Sequence, residues 1–193
     1  MGFAITWFAF PEKDSAAFFA RFGLSPTGEK TEVPDFPIAT AKLDTGWTVL
    51  WYDKYDCPFL GERELADVSR SHDIVRCLVE EHVMASSAEF WSRGSRKWFL
   101  SHEGENGPKG IDSDGALPDS FVSIKEKMEA AQLAEGGDKA DVDYIFEIPP
   151  RVAESIVGFK HDERCSHMPE NMFYALKRSE PKQSFFARLI GRK

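Results

Sequence analysis

The sequence predicts an α+β domain on a mixed or mainly antiparallel sheet, with helices packed mostly on one face. Three observations lead there. Residues 73–102 hold two apolar runs, a Ser-Arg-Gly-Ser turn and a third, shorter run, the pattern of a β-meander. Residues 38–43 and 47–52 alternate around Asp44-Thr45-Gly46, where the glycine suits a short hairpin loop. Residues 121–135 place Phe121, Ile124, Met128 and Ala131 at helical spacing, with Asp119 or Ser120 available as a cap.

The remaining elements follow in order. Residues 3–10 are apolar on both faces, as in an interior strand. Phe3, Ile5, Trp7 and Ala9 share one side, and Ala4, Phe8 and Phe10 the other. Pro11 suits a first helical position, with Phe18, Phe19 and Phe22 as the buried stripe and Gly23 as the C-cap. Residues 25–37 read as a loop because of their prolines and glycine. The opening β-α-β-β order fits half of a ferredoxin-like unit. A short helix is expected over residues 62–70.

In the meander, residues 74–79 and 83–91 read as strands about a Glu80-Glu81 turn. A continuous helix over 74–90 is the rival reading. The β-branched Ile74, Val75 and Val79, and Ser86-Ser87 in what would be a helix interior, favour strands. Residues 97–101 close the meander. Residues 102–120 carry four glycines, two prolines and several acids, and predict a long loop. Residues 141–148 predict a strand, stopped by Pro149-Pro150, which begin a helix through residue 157 capped by Gly158. Residues 159–171 read as irregular, and 172–176 as a brief apolar patch.

The chain has 193 residues, 42% of them hydrophobic, enough for one domain that buries its core without staples. Its organisation reads as a domain over 1–176 with the loop at 102–120, followed by a basic amphipathic tail over 177–193. Formal net charge is −8. The tail holds six basic residues against the single Glu180, a net of +5, which leaves −13 on the other 176 residues. An acidic body of this kind disfavours nucleic acid. Three widely spaced cysteines predict no disulfide framework. No apolar run is long enough to span a bilayer, and the first residues read as a strand, so the expected location is cytoplasmic.

Candidate chemistry is sparse. His161, Cys165 and His167 lie in a polar segment and offer three ligands toward zinc or another divalent metal, one short of a closed site. Glu80, Glu81 and His82 put two acids beside a histidine, the residue types of acid–base work. In a tight turn they would instead be solvated. Cys77 alternates with Val75 and Val79 and reads as a small buried hydrophobe. Asp112, Asp114 and Asp119 fail the calcium-loop pattern because glycine falls one position early.

Partner-binding candidates are Trp47 and Trp51, should their face of the sheet be uncovered, and Phe185, Phe186 and Leu189 in the tail. A basic amphipathic tail can fold back on an acidic surface, dock on a partner or lie on an anionic membrane. The reading that joins these observations is a soluble acidic protein-binding domain without catalytic activity or cofactor. It would act as an inhibitor or neutraliser of a partner with a basic surface. The alternative is a metal-assisted hydrolase using the His161–His167 segment.

Overall fold

The computed structural model describes residues 2–106 and 110–179. Within them lie nine strands: β1 (Ala4–Pro11), β2 (Leu24–Thr31), β3 (Ile38–Lys42), β4 (Trp47–Tyr52), β5 (Ile74–Glu80), β6 (Ala85–Ser92), β7 (Ser95–Glu103), β8 (Ile111–Gly115) and β9 (Phe173–Arg178). Four α-helices accompany them: α1 (Ser15–Phe22), α2 (Glu62–Val68), α3 (Ser120–Ala134) and α4 (Ile148–Val157). The strands form one sheet in the order β2-β9-β3-β4-β1-β5-β6-β7-β8, and every pairing is antiparallel.

β1 sits at the centre because its side chains are apolar on both faces. Trp7 pairs with Trp51 on one side and Cys77 on the other. That row continues through Ala39 to Ala175 and through Ala88 and Leu100 to Ser113. Small side chains, Ala39 and Ala175 on one flank and Cys77 and Ala88 on the other, border the two neighbouring indoles along it. Met128, Ile148 and Val152 of α3 and α4 cover this first face. Truncating the fully buried Trp7 would cost about 3–5 kcal/mol.

The helices occupy both faces rather than mostly one. Phe18 and Phe22 of α1 and Leu65 and Val68 of α2 pack on the second face against Phe8, Phe10 and Leu50. The rings of Phe10 and Phe18 stack at 3.9 Å between centroids. Physically, a central strand with two apolar faces demands a layer on each side. The β-α-β-β order of the opening is present, but its strands are not contiguous, since β9 lies between β2 and β3.

Other expectations change with tertiary pairing. Residues 24–31, read mostly as loop, form edge strand β2 on β9, with its register broken between Pro26 and Lys30. An edge strand bonds along one side only and needs no apolar alternation, so proline and glycine are tolerated there. The 102–120 loop contains β8, a fourth meander strand paired to β7. Residues 141–148 are not a strand. Asp143 Oδ1 accepts from the amides of Ile145 and Phe146 at 3.0 and 3.2 Å and turns the chain into a 3-10 turn that leads into α4. Neither Asp119 nor Ser120 caps α3 through its side chain. The 172–176 patch falls in strand β9, which runs on through Lys177 and Arg178.

The meander, the hairpin and α4 with Gly158 at φ 84° stand where the sequence put them; α1 ends at Gly23 (φ 67°) as expected but begins at Ser15, because Pro11 still pairs in β1 and a 3-10 turn over Glu12–Asp14 intervenes. Residues 74–90 are strand, turn and strand, not helix.

Candidate functional site

The β5–β6 turn, α3 and the start of α4 line an open cleft of about 800 Å³. Glu81, His82, Lys127, Asp143, Glu147 and Arg151 supply its polar lining. The predicted acid–base trio is divided here. His82 Nδ1 lies 2.7 Å from Glu80 Oε1 in an exposed pair. Glu81 turns inward: its Oε2 accepts the Phe3 amide at 2.8 Å and its Oε1 lies 3.4 Å from His161 Nε2. The other carboxylates are equally committed. Asp143 Oδ2 is 2.9 Å from His102 Nε2, and Glu147 Oε2 is 3.1 Å from Lys160 Nζ.

Behind the cleft lies a buried charge network that the sequence did not advertise. The Lys160 side chain is 1% exposed and reaches Glu147, Asp162 and Glu163. Arg151 joins Glu147, Glu154 and Glu163. Burial works to lower the Lys160 pKa, but the hydrogen bond and charge of Asp162 and the charge of Glu147 raise it on balance. Burial lowers the pKa of His161, against the pull of Asp162 and Glu81. These ion pairs tie the 159–163 segment to α4, although Glu147 Oε2 and Arg151 Nε make no hydrogen bond within them. Only clustering in space marks the network, because Lys160 comes from a segment with no periodic signal.

The three proposed metal ligands each face a different partner. His161 meets Glu81, Cys165 Sγ lies 3.1 Å from the Gly158 carbonyl oxygen, and His167 Nδ1 is 2.9 Å from Asp44 Oδ1. Among the described residues, no three His, Cys, Asp or Glu side chains converge as a metal site requires. All three cysteines are free thiols. Burial pushes the Cys57 thiol up to about 12 and raises that of Cys77 as well, which suppresses the nucleophilic thiolate.

Trp51 is buried in the core and Trp47 is half-buried against it, so they form no exposed aromatic patch. Trp47 and Trp51 face the side of the sheet that α3 and α4 cover. Phe185, Phe186 and Leu189 lie outside the described residues.

A different surface is open. On the second face, the core beneath α1 and α2 takes only Ile74 and Trp91 from β5, β6 and β7. Over the rest of that face of the meander Glu89 and Ala85 are buried, Arg76, Leu78, Ser87, Phe99 and Ser101 are half-buried, and exposure is reached toward β8. By register, Asp114, Phe99, Glu89 and Arg76 form one row across it, and Asp112, Ser101, Ser87 and Leu78 the next. Glu103 and Glu80 share the following row with Ala85 between them. Glu103, Asp112 and Asp114 are exposed, and none has an ion-pair partner among the described residues.

Carboxylates outnumber cations on this face: Glu80, Glu89, Glu103, Asp112 and Asp114 stand against Arg76, Arg96 and Lys97, and Lys97 meets only a neutral hydroxyl. Arg76 Nε lies 2.6 Å and Arg96 Nη1 3.5 Å from the buried Glu89 carboxylate, and Lys97 Nζ donates to Ser95. Burial, followed by the charges of Glu103 and Glu80, raises the pKa of Tyr55 at the lower margin of this surface. The open face is therefore net negative at close range. Comparison of the chain with protein-family models, curated proteins and solved structures gives no match.

Proposed function

We propose that this protein is a non-catalytic acidic binding domain of the cytoplasm that takes a protein partner through a basic surface, and inhibits or neutralises that partner by covering it. The observation that carries this reading is the outer part of the meander face, where Glu103, Asp112 and Asp114 stand exposed with no cation paired to them among the described residues. An excess of −13 over residues 1–176 adds long-range attraction toward a positively charged partner. The free thiols suit a reducing compartment. Commitment of every cleft carboxylate to a cation or an amide supports the absence of catalysis.

The test compares the wild-type protein with a Glu103→Lys, Asp112→Lys, Asp114→Lys variant as baits in extract of the native cell. A basic protein retained by the first, lost by the second and released as salt is raised is the expected result. Equal retention by both baits overturns the reading.

A further inference from the structure

The two edges of the sheet are built differently. β2 carries Pro26, Gly28 and a register break, devices that blunt an edge against further pairing. β8 carries no proline and no break: Ile111 to Gly115 pair in unbroken register with β7, and the strand is almost wholly exposed. The hydrogen-bond phase follows from one contact. The Ala116 amide donates to the Lys97 carbonyl at 3.0 Å, which makes that opposed pair a hydrogen-bonded one. Antiparallel ladders alternate, so Asp114–Phe99 and Asp112–Ser101 also exchange hydrogen bonds, and Leu100–Ser113 does not. The amide and carbonyl of Ser113 therefore point away from β7, into the open edge. On the same strand, Asp112 and Asp114 share the uncovered acidic face.

We infer that β8 is a strand-addition site, taking an extended partner segment with lysine or arginine at alternate positions. The added strand would bond the outward groups of Ser113, while its basic side chains stand beside Asp112 and Asp114. Main-chain bonds supply affinity in this mode, and alternate side chains supply specificity. The same acids work against a second copy of this chain. Two β8 strands paired antiparallel would set Asp112 and Asp114 of one against those of the other, and like charges directly opposite are unfavourable. This inference rests on the basic-partner reading above and adds its mode of docking.

The test uses the full chain and a fluorescein-labelled peptide of alternating lysine and threonine. At low ionic strength the peptide should bind, and hydrogen exchange followed by NMR should show the Ser113 amide slowed in the complex. Ser113→Pro removes only an outward amide, which an edge strand tolerates, and should weaken binding about tenfold. A peptide N-methylated at alternate positions repeats the test on the other partner, should the proline variant unfold. Asp112→Asn with Asp114→Asn should flatten the salt dependence.

Peptide binding that leaves Ser113 exchange unchanged, or that survives both Ser113→Pro and N-methylation, overturns strand addition while leaving a basic partner possible on the face itself. Absence of peptide binding overturns strand addition too. The charge-reversed bait then decides the basic-partner reading independently.

Discussion

Arg76 and Glu89 stand directly opposite each other on β5 and β6, with Arg76 Nε 2.6 Å from Glu89 Oε1 and the Glu89 side chain 1% exposed. The pair marks the inner limit of the open acidic face. Arg96, whose guanidinium also lies 4.9 Å from the Phe99 ring centroid, is its second cation. Removing Arg76 leaves the buried Glu89 carboxylate only the longer 3.5 Å contact to Arg96, so Arg76→Ala should destabilise by about 1–3 kcal/mol in urea denaturation, less than a fully unpaired buried charge would cost. Replacing both, as Arg76→Met with Glu89→Leu, should recover most of that loss. A double variant no more stable than the single one would show that the pair is not the source of the cost.

Stability should fall on mild acidification, in two phases. His161 is held below its ordinary value of 6.5, first by burial and then by the charge of Lys160, against Asp162 and Glu81. The unfolded chain takes up a proton there that the native ring resists, so stability declines as pH drops through 6.5. Asp162 shifts down from 3.8: burial raises it, but the hydrogen bond from Lys160 and the charges of His161 and Lys160 together outweigh that. Its contribution is present above 3.8 and is lost as pH falls through its lower native value. Melting temperature against pH should show the first phase in the wild type and lack it in His161→Gln.

Thiol reactivity should follow burial. Cys57, pushed up to about 12, and the fully buried Cys77 should resist iodoacetamide in the native protein at neutral pH. Cys165 is half-buried, and burial raises its thiol too, so it should be alkylated slowly and first. Mass spectrometry of timed samples gives the order, and early modification of Cys77 would contradict the packing described.

Gly115 closes β8 at φ +83°, a conformation that L side chains adopt at a cost, and an added Cβ would overlap the Lys97 carbonyl oxygen. Gly115→Ala should therefore cost about 1–3 kcal/mol of backbone strain, with the steric overlap adding to it. Amide exchange should accelerate along β7 and β8 before it does so in β1. A variant with wild-type exchange in β8 would mean that the strand end relaxes without strain.

Much of the frame was legible in residue order. Phe3 to Phe10, apolar on both sides, announced a central strand. Asp44-Thr45-Gly46 announced the hairpin, and the β-branched residues of 74–79 announced a strand rather than a helix. Both edge strands escaped notice for one reason. β2 and β8 bury almost no apolar surface, and their existence depends on pairing with β9 and β7, from which residues 24–31 and 111–115 take their conformation. Asp112 and Asp114 were visible as failed calcium ligands, and their i, i+2 spacing was the one available sign of a shared strand face.

Composition and pattern alone determined that this chain builds an α+β domain on a mixed or mainly antiparallel sheet, has cysteines too widely spaced to suggest a disulfide framework, and carries a strongly negative body. Local sequence encodes these through side-chain hydrophobicity, β-branching and charge. Only the tertiary structure decided that helices cover both faces and that Trp47 and Trp51 belong to the interior. It also decided that the His161–His167 segment disperses to separate partners, and that Glu103, Asp112 and Asp114 are exposed on one face beside the β8 edge. Those outcomes depend on which distant segments meet, and burial and pairing between distant segments are set by the whole chain at once.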